Sequence, residues 1–197
     1  MSCKEKVIQA IRIIGGCPGH VKVSLVLVAV TFCMYLMGMF TGSWLSGSTP
    51  NVRQGLFSYC IQDNEAECCA HLEDFTETQN TTVPAFVQAT RAFISIGLIM
   101  LCATLVICVV TVMVSGDRTP RGRPYLKQEV MFNMACNALS FIAILIGVIV
   151  YGASYRDETW MSLLGLSWSY AFCAMAACLC IVNLGVLYTY EPPYSSE

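Results

Sequence analysis

The chain has few charged side chains and only two histidines among its 197 residues. Asp, Glu, Lys and Arg together make up 12% of it, whereas an ordinary soluble domain carries about 25%. Apolar residues make up 56%, and the mean hydropathy is +0.61. The sequence excludes an ordinary soluble domain, because it has too little polar sequence to cover a core of this size.

The scarcity of charged residues and histidines also argues against catalysis and nucleic-acid binding. His20 and His71 lie in polar segments separated by a long apolar run, so they are not placed to share a metal ion. Arg91 is the only charged residue within the long apolar runs, which leaves no general base or lysine nucleophile at membrane depth. The net charge is −2, and no dense basic cluster is present. We therefore expect no enzyme, no cofactor, no metal site and no nucleic-acid partner.

Four apolar runs approach or exceed the ~20 residues that a helix needs to cross a bilayer. Eight of the eleven Lys and Arg residues precede the first run or separate the second from the third, which predicts that both termini are cytoplasmic. The predicted order is a cytoplasmic N-terminus (1–22), span (23–41), extracellular loop (42–84), span (85–115), cytoplasmic loop (116–129), span (130–150), extracellular loop (151–160), span (161–188) and cytoplasmic tail (189–197).

The large outer loop contains three of the twelve cysteines, Cys60, Cys68 and Cys69. Disulfides persist in that compartment. A bridge from Cys60 to either Cys69 or Cys68 would close a loop of about ten residues and stabilise the fold by roughly 2–3 kcal/mol. Alternating side chains around Cys60 and the turn-like residues 62–65 favour a hairpin. The residues leave open which of the two cysteines pairs with Cys60.

Two kinds of covalent modification are also predicted. Asn80 begins an Asn-Thr-Thr glycosylation sequon in the predicted outer loop. Cys3 and Cys17 are candidates for palmitoylation near the cytoplasmic face.

Small and amide residues in the spans predict close helix contacts. Gly38 and Gly42 form a small-xxx-small pair at the end of the first run, and Asn133 and Asn137 lie one turn apart in the third. We expect these residues mainly to pack the bundle, with contacts between copies of the chain as the alternative.

Several residues of the outer loop stand in a distinctive order. Trp44 closes the first run, Cys60 and Cys69 enclose eight residues, and Arg91 lies near the start of the second run. Between Trp44 and Cys60 comes a tripeptide, Gly55, Leu56 and Phe57. This order resembles the W…GLW…C…C signature of the claudin superfamily of four-span membrane proteins. The resemblance implies a claudin-like fold, an all-α membrane four-helix bundle with a small extracellular antiparallel β-sheet, and a Cys60–Cys69 bridge. It also implies that Arg91 caps the corner between sheet and helix.

Two departures from that signature indicate which branch of the superfamily the chain is more similar to. Phe57 replaces a tryptophan, and only ten residues separate Trp44 from Gly55. This short spacing is more similar to the peripheral myelin protein 22, epithelial membrane protein and junctional tetraspan branch than to pore-forming claudins. The chain ends in Glu197, which does not fit the apolar pocket of a PDZ domain, so we expect no PDZ scaffold at the C-terminus.

The resemblance implies a plasma-membrane protein of cell–cell junctions that acts in adhesion and junction organisation. Its partners would be the lipid bilayer and other junctional membrane proteins, cadherin–catenin or claudin-like, with a homo-oligomer as a further option. The alternative is an auxiliary subunit that modulates the trafficking or gating of an ion channel or receptor. A paracellular barrier or pore is a third interpretation, which the short loop disfavours.

Overall fold

The computed structural model describes residues 19–48, 51–63, 66–78, 82–116, 123–158, 161 and 163–189. Four long helices dominate: α1 (Gly19–Phe40), α3 (Ala85–Gly116), α4 (Arg123–Ser154) and α5 (Trp168–Tyr188). Each is long and apolar enough to cross a membrane. A helix satisfies all its backbone hydrogen bonds internally, which is what a lipid environment requires of such sequences.

The four helices form one bundle. Helix α1 packs against α3 and α5, and α4 packs against the same two helices. A continuous apolar core runs along the axis, with Val28, Leu101 and Ile144 among its fully buried side chains. Large apolar side chains such as Ile99, Val106 and Phe132 point outward instead, an arrangement that suits lipid better than water.

A five-stranded antiparallel sheet covers one end of the bundle. Its strands are β1 (Leu45–Ser48), β2 (Asn51–Gln54), β3 (Ser58–Asp63), β4 (Ala66–His71) and β5 (Gly165–Leu166), in the spatial order β4-β3-β2-β1-β5. A short helix, α2 (Leu72–Thr78), follows β4. Strands β3 and β4 form the hairpin that the sequence predicted around Cys60. The four apolar helices and the small antiparallel sheet confirm the coarse architecture predicted from the sequence.

Several helix ends differ from the predicted span ends. Helices α1 and α4 begin earlier, at Gly19 and Arg123, than the spans predicted over 23–41 and 130–150. Helix α5 begins at Trp168, so the fourth span predicted over 161–188 starts seven residues too early. Hydropathy cannot separate the apolar strand β5, which pairs with β1, from the helix that follows. Helix α4 runs past 150 to Ser154 and then continues as a 3₁₀ turn over Tyr155–Asp157. The loop between the third and fourth spans is therefore shifted toward the C-terminus relative to the predicted 151–160.

Candidate functional site

Trp44 joins the sheet to three of the long helices. The residue is fully buried, and its Nε1 donates a 2.7 Å hydrogen bond to the carbonyl of Gly38 in α1. Its ring makes edge contacts with Tyr151 of α4 at 4.8 Å and Tyr170 of α5 at 5.8 Å between centroids. The Trp44 backbone N–H donates to the carbonyl of Gln54 at 2.8 Å. One aromatic side chain thus fixes the start of the sheet on the bundle.

Arg91 makes a second anchor, on α3. Its Nε donates to the carbonyl of Leu56 at 2.7 Å, and its Nη1 forms an ion pair with Glu73 Oε1 at 2.5 Å. The guanidinium also lies 5.1 Å from the centre of the Phe57 ring, within cation–π range. Arg91 therefore ties the β2–β3 turn and α2 to the first turns of α3.

The ion pair at this anchor shifts the titration of Glu73. The hydrogen bond from Arg91 is the main cause that lowers the pKa of Glu73 below its ordinary value. The Glu73 side chain is 55% exposed, whereas Arg91 is 16% exposed, so water screens one side of the pair.

Gly42 and Gly55 allow the β2–β3 turn to approach the end of α1. A Cβ on Gly55 would lie 2.8 Å from the Cα of Gly42 and 3.0 Å from the carbonyl oxygen of Thr41. The Gly55 N–H donates to the Ser58 carbonyl at 2.8 Å and closes the turn. Any larger side chain at Gly55 would push the sheet away from the bundle.

Gly38 and Gly42, which were predicted to pack together as a small-xxx-small pair, lie in different parts of the structure. Gly38 lies in α1, and a Cβ there would meet Cys173 Sγ at 2.6 Å and the Ser169 carbonyl at 2.9 Å, both on α5. Gly42 lies beyond the end of α1 and faces Ser58 of the sheet. The two glycines therefore do not form one helix-packing stripe, because the helix ends between them at Phe40.

A disulfide between Cys60 and Cys69 crosslinks β3 and β4. The two residues stand directly opposite each other in the strand register, whereas Cys68 stands opposite Ile61. Adjacent residues of a strand point to opposite faces, so only one of the two cysteines can reach Cys60. Cys68 is free and exposed.

Asn133 and Asn137 both bond across the bundle. Asn133 Nδ2 donates to Cys108 Sγ of α3 at 3.2 Å, and Asn137 Nδ2 donates to the Cys180 carbonyl of α5 at 3.0 Å. Both asparagines are buried. They link α4 to its two neighbours within one molecule, so they are internal packing residues.

Three predicted modification sites lie outside the described residues: Asn80, Cys3 and Cys17. Within the described part of the chain, no group of three or more His, Cys, Asp or Glu residues is arranged to hold a metal ion.

Sequence reasoning missed several residues of the junction between sheet and bundle. Glu73, the ion-pair partner of Arg91, is one of several acidic residues in the same loop, and nothing in the sequence distinguishes it from the others. Tyr151 packs against Trp44, but it ends an apolar run like any interfacial tyrosine. Gln54 is fully buried, and its side-chain amide has no hydrogen-bond partner among the described residues. The alternation of side chains in β2, which places Val52 and Gln54 on one face, was the sequence feature that could have predicted the burial of Gln54.

The far edge of the sheet is open. Among the described residues, β3 is the only strand that pairs with β4, and Cys68, Cys69, Ala70 and His71 are exposed. An open edge of this kind presents backbone groups to a second chain.

The family model for the lipoma HMGIC fusion partner-like protein matches residues 22–187, which include all four long apolar segments and the sheet. The chain belongs to this family. No curated protein matches the chain. Membership of the lipoma HMGIC fusion partner-like family overturns the resemblance to claudins and to the peripheral myelin protein 22 and epithelial membrane protein branch.

The wrong assignment has a physical reason. Trp44, Gly55, Cys60 and Arg91 anchor a small sheet on a four-helix bundle through a buried indole, a close backbone approach, a crosslink and an arginine clamp. Those tasks follow from the geometry of a sheet seated on helices, so residues of these types do not by themselves separate the lipoma HMGIC fusion partner-like family from another four-span family.

Proposed function

We propose that this member of the lipoma HMGIC fusion partner-like family is a non-enzymatic membrane protein that organises other membrane proteins at cell–cell contacts. In the proposed orientation the sheet is extracellular and both termini are cytoplasmic. The observation that carries the proposal is a disulfide-crosslinked sheet with an open edge strand, held on the bundle by Trp44 and Arg91.

Rigidity supports a binding role for the sheet. A surface that is ordered before it meets its partner loses less conformational entropy on binding. The Cys60–Cys69 crosslink restrains the edge hairpin, while the two anchors restrain the rest of the sheet. The open β4 edge then offers backbone hydrogen bonds, and its exposed side chains select the partner.

Proximity labelling from the tagged, full-length protein in an epithelial layer tests this proposal. We expect adhesion and junction proteins among the labelled neighbours. An Ala70→Lys variant places a charge on the exposed β4 edge, and we expect it to lose most of those neighbours. The matched control is Ala85→Lys, which adds the same charge at the exposed first residue of α3. Unchanged labelling by Ala70→Lys would count against the sheet edge as the binding surface.

A second candidate, an auxiliary subunit of a channel or receptor, is favoured by a groove on the side of the bundle. The groove, of about 300 Å³, lies between α3 and α4 and is lined by Val106, Val110, Phe132 and Glu129, among others. The Oε2 atom of Glu129 is buried and has no hydrogen-bond partner in the described part of the chain. A membrane helix of a partner that carries a hydrogen-bond donor would complete this site.

The two proposed functions predict different neighbouring proteins for the variant Glu129→Leu. Glu129→Leu removes the carboxylate whose Oε2 atom has no partner among the described residues, and it leaves the sheet intact. Loss of a co-purifying channel or receptor in this variant, with junction neighbours unaffected, would favour the auxiliary subunit.

A further inference from the structure

The groove between α3 and α4 has a polar end and an apolar wall. Val106 and Val110 line it from α3, and Phe132 lines it from α4. All three of these side chains are exposed on the outer surface of the bundle. The polar end is formed by Gln128 and Glu129, near the start of α4. The groove therefore suits a ligand that is polar at one end and apolar along the rest of its length.

Glu129 lies level with the ends of two other spans. Val130, its neighbour in α4, lines a small cavity together with His20 of α1 and Leu187 of α5. His20 is the second residue of α1, and Leu187 is the last but one of α5. Because apolar spans end where the hydrocarbon of the bilayer ends, Glu129 lies at the boundary between hydrocarbon and headgroups, on the side of the membrane away from the sheet.

The apolar wall extends from this boundary toward the bilayer centre. Helix α4 runs toward the sheet, so Phe132, three residues after Glu129, lies about 4.5 Å deeper on the same face of the helix. Helix α3 runs the opposite way, so Val106 lies about 6 Å deeper than Val110. A ligand with its polar end beside Glu129 would therefore have its apolar part in the hydrocarbon.

The Glu129 side chain indicates what the polar end of the ligand must supply. Its Oε2 atom is buried and has no hydrogen-bond partner among the described residues. An ionised carboxylate can only accept hydrogen bonds, and an acceptor that is buried without a donor costs free energy. The ligand should therefore carry a hydroxyl or an ammonium group at the level of Glu129.

The chemistry of membrane lipids favours the hydroxyl of a sterol. A sterol has one hydroxyl at the hydrocarbon boundary and a rigid, apolar ring system beneath it. An aminophospholipid carries its ammonium beyond its phosphate, so the phosphate would lie close to the carboxylate of Glu129 and repel it. A rigid ring system also loses less conformational entropy on binding than two flexible acyl chains do.

We propose that a membrane sterol occupies the groove between α3 and α4. Its hydroxyl donates to Glu129 Oε2, and its ring system packs between Val106 of α3 and Phe132 of α4. In the orientation proposed above, the sterol belongs to the inner leaflet. The second proposed function assigns the same groove to a partner helix, so such a helix would have to displace the sterol. Occupancy of the chain without a partner depends on neither proposed function.

Photolabelling of the purified full-length chain in phosphatidylcholine nanodiscs tests the site. A cholesterol analogue with a diazirine in its ring system is added, and its adducts are mapped and counted by mass spectrometry. We expect adducts within residues 106–110 or 128–132. Excess cholesterol should suppress them several-fold more than cholesterol methyl ether, which has no hydroxyl to donate.

Glu129→Leu should lower this labelling about tenfold, since a hydrogen bond to a charged group is lost. Glu129→Gln should lower it less, because the amide keeps an acceptor oxygen. Phe132→Ala removes part of the apolar wall, and it should also lower the labelling if Glu129→Leu fails to fold. Met131→Ala is the matched control, because Met131 is as exposed as its neighbour Phe132 but does not line the groove. This control should be labelled as the unmodified chain is.

Three outcomes would overturn the proposal. Equal suppression by cholesterol and its methyl ether would show that the hydroxyl is not recognised. Equal labelling of Glu129→Leu and the unmodified chain would exclude the carboxylate from the site. Equal losses in Phe132→Ala and Met131→Ala would show that the sterol coats the bundle without a specific site. The assay contains no partner protein, so its failure would leave both proposed functions to the proximity-labelling and co-purification experiments.

Discussion

At the residue scale, the side chains of Trp44 and Arg91 anchor the sheet on the bundle, and their contacts are of different physical kinds. Trp44 is fully buried, so it contributes apolar area, ring contacts and one hydrogen bond that would be costly to leave unmade. Arg91 is a partly buried charge whose partners are a carbonyl, a carboxylate and an aromatic ring. The Arg91 contact includes the carboxylate of Glu73, whose pKa is lowered, so this contact weakens in acid.

Glu73→Gln should destabilise the protein at neutral pH and have no such effect in acid. The pKa of Glu73 is lowered in the folded state, so its contribution to stability is present above the ordinary glutamate pKa. That contribution disappears as the pH falls through the lowered value. Because the carboxylate is 55% exposed, we expect a difference of about 0.2–1 kcal/mol at pH 7.

Thermal unfolding of the detergent-purified protein at neutral and acid pH measures this difference. Asp157→Asn, at an exposed carboxylate on the same end of the bundle, is the control and should show a smaller effect at both pH values. A Glu73→Gln difference that persists unchanged in acid would contradict the ion-pair explanation.

At the element scale, the bundle depends on close packing between particular helices. Helices α1 and α5 approach tightly at Gly38, where the α5 backbone and Cys173 occupy the space that a side chain would need. Small residues permit such approaches, and the dispersion attraction between the closely packed backbones is a main source of helix association in lipid.

Gly38→Ala should separate α1 from α5 and destabilise the bundle by about 1–3 kcal/mol, the usual cost of overpacking. Two of the three nearest atoms, the Ser169 carbonyl oxygen and the Cys173 backbone nitrogen, belong to the α5 backbone, which cannot move aside as a flexible side chain can. Gly185→Ala is the matched control, since no atom lies within 4 Å of a Cβ added there. Urea or thermal unfolding in detergent compares the two, and equal stability of both variants would refute the close-packing role of Gly38.

The sequence predicted the elements better than their ends. The helices were predictable because about twenty apolar residues in a row have few alternatives. The start of α5 was not predictable from hydropathy, because Gly165 and Leu166 are as compatible with an apolar helix as with a strand, and only pairing with β1 decides between them. The Cys60–Cys69 choice likewise depends on strand register, which fixes the face of each cysteine.

The candidate site was predicted only in part. Trp44, Arg91 and the cysteines have residue types and spacings that suggest their tasks. The pairing of Glu73 with Arg91 arises only when segments distant in sequence come together, so no local pattern contains it. The predicted claudin resemblance was wrong for a related reason, because local motifs indicate an architecture that more than one family can have.

At the scale of the whole molecule, the four apolar helices make this a multi-pass membrane protein. The orientation proposed from the Lys and Arg distribution places the sheet outside the cell. Exposed Cys68 provides a direct report on that orientation, because it is a free thiol on the sheet.

A membrane-impermeant maleimide should label Cys68 in intact cells. Cys68→Ser should abolish that labelling without affecting delivery to the surface, since the residue lies outside the disulfide. Labelling that appears only after the cells are permeabilised would invert the orientation.

The fifth strand has a consequence for how the molecule is made. Residues 165 and 166 pair with β1, and the N–H of Ser167 donates to the carbonyl of Trp44 at 2.9 Å. Synthesis proceeds from the N-terminus, so β1 to β4 leave the ribosome well before their last neighbour, β5. The sheet can be completed only after α4 has been synthesised, and a chain that stalls earlier leaves the edge of β1 without its partner strand, which quality control can detect.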